Sequence, residues 1–238
     1  MPSGKTSFTS SYPDLKALSK EGVRLLLFDL DGTLLDSMTL LTDVDREFLG
    51  RYGYEVTQEY TDVVKSVSNE DAARYTQMKY HIPLTWQEIV KTWDDMVFEF
   101  YRNEVKLKKG AKEYLERAKE SGFILGVTTA MSRNNAIAAL AHTGIVDHFN
   151  CIITLEDLGD KVDKGRPDIF LKAVEYVSAS SARVTPDKAL VFDDVPHAME
   201  GARAGGFLTC AVYDKIGCGG PDKWESFAAE CDFSVFEF

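Results

Sequence analysis

Leu25-Leu26-Leu27-Phe28-Asp29-Leu30-Asp31-Gly32-Thr33-Leu34-Leu35-Asp36-Ser37 is the stretch on which the reading of this chain turns. An apolar run of strand length delivers two aspartates, two residues apart, and then breaks at Gly32. Alternation along a strand puts both carboxylates near its C-terminal end on one side of the chain. That end is where α/β sheets place their ligands.

Downstream, residues 38–106 read as helical throughout, with segments at 39–49, 58–66, 69–79 and 85–101. On the last of these, Trp86, Val90, Trp93, Val97 and Tyr101 recur every three or four residues and predict a stripe that packs the core of a small bundle. From Val105 the rhythm changes to helices alternating with short apolar runs. Helices are expected at 110–120, 134–142, after Pro167 and at 196–204, and strands at 23–28, 123–128, 151–155, 189–193 and 207–213. The last segment, 224–238, reads as a helix followed by an edge strand at 232–236.

Strands alternating with helices imply parallel pairing with right-handed crossovers. The fold class is therefore α/β: a doubly wound parallel sheet forming a Rossmann-like core from 23–37 and 107–238, with an α-helical cap domain at 38–106. An insertion directly after the aspartate strand would overhang the strand ends like a lid. Residues 1–22 are an N-terminal extension, a loose tail at 1–11 leading into a short helix at 14–20. Gly4-Lys5-Thr6 resembles the end of a phosphate-binding loop but lacks the upstream glycine, strand and helix, so chance accounts for it.

Composition narrows the partners. With 238 residues and 45% hydrophobic content the chain can bury a real core. Its 27 basic against 38 acidic residues give a net charge of −11, the wrong sign for gripping a nucleic acid. Cys151, Cys210, Cys218 and Cys231 form no C-x-x-C pair, and no apolar run approaches membrane-span length, so a soluble, reduced, cytoplasmic protein is expected. The sequence sets no oligomeric state, and a monomer fits it.

Further polar groups fall at the expected strand ends. Thr128 and Thr129 close one strand ahead of a helix, presenting a hydroxyl and backbone N–H groups together. Lys164 precedes the helix after Pro167, and Asp193-Asp194 end the strand Leu190-Val191-Phe192. Crowded carboxylates repel unless a cation sits among them, and an oxygen-only set suits Mg²⁺ better than zinc. A metal with a lysine beside it draws in phosphate, an ionised aspartate can attack phosphorus, and a second carboxyl can protonate the departing oxygen. His81, His142, His148 and His197 show no metal-site spacing and read as surface or packing residues, although His197 lies three residues after Asp194.

Asp29-Leu30-Asp31-Gly32-Thr33 resembles the D-x-D-G-[TV] motif of the haloacid dehalogenase superfamily, and Thr129, Lys164 and Asp193-Asp194 match its later motifs in order. Lys164-Gly165-Arg166-Pro167-Asp168-Ile169-Phe170 resembles the K-P-x-P-D-I-F run of its β-phosphoglucomutase-like branch. The resemblance implies Asp29 as nucleophile and metal ligand, and Asp31 as general acid/base whose backbone carbonyl also meets Mg²⁺. It implies that Thr129 and Lys164 bind the phosphoryl group, with Gly32 and Ala130 beside them, and that Asp194 completes the metal site, with Asp193 in a less defined role.

The loop Ser66-Val67-Ser68-Asn69-Glu70-Asp71 resembles the substrate loop of the mutases, but Asn69 stands where they carry arginine, and Leu41 where they carry histidine. Losing a guanidinium fork weakens the grip on a bisphosphate. These departures favour a Mg²⁺-dependent phosphatase acting on a small-molecule phosphomonoester. A sugar-phosphate mutase is the enzymatic alternative, and a non-catalytic metal- and phosphate-binding module the alternative of another class.

Overall fold

The computed structural model describes residues 12–64, 66–159, 163–180 and 183–236; the tail 1–11 with Gly4-Lys5-Thr6, and the side chain of Leu41, lie outside that set. In chain order come α1 (Leu15–Lys20), β1 (Leu25–Phe28), β2 (Leu35–Asp36), α2 (Leu40–Gly50), α3 (Gln58–Val64), α4 (Asn69–Tyr80) and α5 (Trp86–Asn103). After them follow β3 (Lys106–Leu107), α6 (Ala111–Glu120), β4 (Ile124–Thr129), α7 (Arg133–His142), β5 (Cys151–Thr154) and α8 (Asp168–Ser180). The chain closes with β6 (Ala189–Asp193), α9 (Pro196–Ala204), β7 (Leu208–Val212), α10 (Trp224–Ala229) and β8 (Phe233–Val235).

Six strands form one sheet in the order β5-β4-β1-β6-β7-β8, and every pairing in it is parallel. β1 is central, with Phe28 level with Val127 of β4 on one side and Phe192 of β6 on the other. All four of its residues are fully buried, which is why it reads as an unbroken apolar run: covered on both faces, the strand has no wet side to alternate toward. Phe28 stacks on Phe192 with ring centroids 4.4 Å apart, tying the two central strands together directly below the aspartates. α8 packs on β4 and β5, and α9 on β6 and β7. Upstream, Tyr12 stacks on Tyr114 of α6 at 4.0 Å, and the Tyr114 hydroxyl donates to the Pro13 carbonyl.

The chain divides into two compact units, Met1–Met38 with Val105–Phe238, and Thr39–Glu104. The second is all-helical, built on Phe48, Tyr60, Ala73 and Ile89, with Trp86, Val90 and Trp93 of the α5 stripe packed against them. Ile89, which stands off that stripe, is the residue of α5 with no exposure at all. α5 starts in a capping box, the Thr85 hydroxyl accepting from the Glu88 N–H at 3.3 Å and the Glu88 carboxylate from the Thr85 N–H at 2.7 Å.

One element departs from the sequence reading. β2 and β3 pair antiparallel, Leu35 with Leu107 and Asp36 with Lys106, where the sequence reading has no strand and carries its helical stretch to 106. A two-residue strand carries no measurable period, and its partner is some seventy residues away, so nothing local announces it. Among the described residues no helix is long and apolar enough to cross a membrane, and the four cysteines are free and buried.

Candidate active site

Asp29 directly follows β1, and its N–H continues the sheet by donating to the Phe192 carbonyl at 2.9 Å. The chain then folds tightly on itself. The Leu30 carbonyl accepts from Thr33 at 3.2 Å, Leu34 at 2.9 Å and Leu35 at 2.8 Å, while Gly32 takes a φ of +72° that favours glycine. This compact loop holds Asp31 at the rim, where its carboxylate accepts a hydrogen bond from the Ser37 hydroxyl.

Lys164 bridges the two central strands. Its Nζ donates to Asp29 Oδ1 at 2.7 Å and to Asp193 Oδ2, all three side chains being no more than 10% exposed. Asp193 Oδ1 accepts from the Val195 N–H at 2.9 Å, so both its oxygens are held. Burial opposes the Lys164 ammonium, yet Asp193 and Asp29 beside it keep its pKa above the usual lysine value. Burial also pushes Asp193 up to about 6, with Lys164 pulling it down and Asp29 pushing it further up.

Asp194 follows β6 directly and is fully buried. Its Oδ1 accepts from the Thr33 hydroxyl at 3.4 Å, whereas Oδ2 has no hydrogen-bond partner. Glycines make room for it: a Cβ on Gly32 would come within 2.1 Å of Oδ2, and one on Gly217 within 1.6 Å. Burial, then repulsion from Asp193, Asp29 and Asp214, raise its pKa well above the carboxylate range, with Lys108 opposing. Lys108 itself pairs with Asp214 at 3.1 Å and donates to the Tyr213 carbonyl at 2.9 Å. Asp29, Asp193 and Asp194 each offer an oxygen within 4.8 Å of the others. An orphaned buried carboxylate oxygen, an all-oxygen donor set and negative charge in excess of two ammonium groups fit a hard divalent cation.

The remaining predicted residues distribute as follows. Thr129 ends β4, beside β1, and its buried hydroxyl accepts from the Met131 N–H at 3.2 Å. Thr128 is also buried, its hydroxyl without a partner. Ala130 is exposed just past the strand, and Gly32 lies against Asp194. Asp31 stands outside the carboxylate trio. Asn69 belongs to the helical unit as the exposed first residue of α4, whose cap is Ser68. Sequence reasoning missed Ser37, Thr33, Gly217 and the Lys108–Asp214 pair. Of these only Thr33 and Ser37 carried a local signal, since each closely follows the aspartates.

A parallel sheet whose central strands end in buried carboxylates bridged by a lysine defines a hydrolase core suited to phosphoryl groups. The family model for haloacid dehalogenase-like hydrolases matches residues 26–212, and the chain belongs to that family. A phosphorylated carbohydrates phosphatase from Thermotoga maritima is 24% identical over 183 residues, covering 76% of this chain and 81% of that protein. A β-phosphoglucomutase from Mycobacterium tuberculosis is 25% identical over 241 residues, covering 88% and 89%. The solved structure of CbbY from Rhodobacter sphaeroides in complex with phosphate superposes with a TM-score of 0.62 at 21% identity, covering 84% of this chain and 92% of that one, and shares the fold. The protein is a hydrolase of that family, and the relatives it resembles include phosphatases and β-phosphoglucomutases.

Proposed function

We propose that this enzyme hydrolyses a small phosphorylated metabolite, a sugar phosphate or similar monoester, through an aspartyl-phosphate on Asp29. The observation that carries the reading is the Lys164 ammonium bridging Asp29 and Asp193 beside the orphaned Asp194 oxygen. Mg²⁺ would be held by Asp29, Asp194 and the Asp31 backbone carbonyl, with Asp193 alongside, and would supply positive charge to the phosphoryl oxygens.

The rest is the work of the chain. Lys164 and Thr129 hold the phosphoryl group in line with Asp29. A carboxylate oxygen of Asp29 bonds to phosphorus as the ester P–O bond breaks, and the Asp31 carboxyl gives its proton to the departing oxygen. Asp31, now ionised, takes a proton from water, whose oxygen attacks phosphorus and frees Asp29 with release of phosphate. Ser37, bonded to the Asp31 carboxylate, holds that acid between its two roles.

The similarity to a phosphatase named for phosphorylated carbohydrates supports a sugar-phosphate substrate, and Asn69 in the helical unit is a candidate substrate contact. The test is Mg²⁺-dependent release of phosphate from p-nitrophenyl phosphate, then from a panel of sugar phosphates. Asp29→Asn is expected to abolish it, and undiminished turnover in that variant defeats the mechanism. The similarity to a β-phosphoglucomutase favours one second reading. Interconversion of β-glucose 1-phosphate and glucose 6-phosphate, primed by a bisphosphate and faster than phosphate release, would establish it.

A further inference from the structure

α9 and the loop that carries Lys164 meet in a contact that glycine alone permits. A Cβ on Gly201 would lie 2.2 Å from the Lys164 carbonyl oxygen, and a Cβ on Gly165 would lie 2.0 Å from the ring of His197. That ring is bracketed by carboxylates, with Nε2 3.2 Å from Asp163 Oδ1 and Nδ1 3.3 Å from Glu200 Oε2. Asp163 Oδ1 also accepts the Gly165 N–H at 2.8 Å, so the residues on either side of Lys164 are tied to each other and to the ring. A neutral imidazole has one N–H to donate and an imidazolium has two. Only the charged ring can donate to both carboxylates.

We propose that His197 is a positioning residue for the Lys164 loop, pinning Asp163 to α9 while its ring is protonated, so that phosphate release weakens as the ring loses its proton. The inference rests on the reading that Lys164 holds the phosphoryl group.

Among the described residues the charged groups that act on the ring are Glu200 from its own helix and Asp163 from the loop. Arg166 is engaged with Asp168 at 3.0 Å, and Lys164 Nζ is turned to Asp29 and Asp193. The hydrogen bond to Glu200, then that to Asp163, raise the ring above the usual histidine pKa. The sign follows: the pin is complete below that raised value and is lost as pH climbs through it. Because the His197 side chain is 60% exposed, the effect is that of an open ion pair, a factor of about two to five in rate.

The experiment measures kcat/KM on p-nitrophenyl phosphate between about pH 5.5 and about pH 9, the range that brackets histidine titration, in the wild type and in His197→Gln. In parallel, two-dimensional NMR follows the His197 ring and the Gly165 amide. The wild type is expected to lose about two- to fivefold in kcat/KM as the ring titrates, and His197→Gln to lack that step while keeping the rest of the profile. The Gly165 amide should shift with the midpoint of the ring, and Asp163→Asn should lower that midpoint. A Gly165 amide indifferent to the ring, or a wild-type pH profile in His197→Gln, overturns the pin. A wild type with no Mg²⁺-dependent turnover whose Gly165 amide still follows the ring overturns the phosphatase reading instead and leaves the pin standing.

Discussion

Lys164 and Lys91 make nearly the same contact in the two units of this protein. Lys164 Nζ lies 2.7 Å from Asp29 with both side chains about nine-tenths buried, and Lys91 Nζ lies 2.6 Å from Asp95 with both more than half exposed. The distances are alike and the energetics are not. Water screens the α5 pair, leaving at most about 0.5 kcal/mol for such a pairing along a helix. In the core unit each ion has been stripped of water, so removing one partner strands the other at a penalty of about 3–5 kcal/mol. The helical unit carries further pairs in the same wet manner, Arg74 with Glu70 on α4 and Arg51 with Glu47 at the end of α2. Identical residue types thus pair in water in one unit and out of it in the other, and burial is what separates the two.

The contrast can be broken most forcefully at Lys164. Lys164→Met is expected to lower kcat/KM on p-nitrophenyl phosphate by about 10³, and to lower stability by about 3 kcal/mol in chemical denaturation without metal. Saturating Mg²⁺ should restore part of the stability and little of the rate, since a cation can replace the missing charge but not the contact with the phosphoryl group. Next comes Gly217→Ala, whose Cβ would press on Asp194 from 1.6 Å. Calorimetry should then show Mg²⁺ affinity reduced about tenfold or more, with kcat partly recovered at high Mg²⁺. At the small end, Lys91→Met should leave kcat/KM unchanged and shift stability by no more than about 0.5 kcal/mol; a larger shift would mean that the exposed pair is coupled to something beyond Asp95.

How much of this was written in the sequence differs by element. That Asp29, Asp193 and Asp194 would meet was legible, because each stands at the C-terminal end of a strand in a parallel sheet and such ends converge. The strand β1 was equally plain in its unbroken apolar run. Lys164 was found through its resemblance to a family run, since a lysine in a loop has no period to betray it. The Lys108–Asp214 pair joins residues 106 positions apart, and nothing in either neighbourhood names the other. Thr128 and Thr129 illustrate a finer limit. The residues differ only by which way the last step of a strand turns, and both are buried, so burial itself does not choose between them.

The pairing of Asp36 with Lys106 also bears on how the chain tolerates changes of length. The chain departs toward its helices and returns from them through a single doorway two residues wide, so the detour closes on itself whatever its length. Lengthening such a loop costs entropy only logarithmically, and the register of the six-stranded sheet is indifferent to it. Helical sequence between those two residues can therefore change in length without disturbing the strands that carry the aspartates.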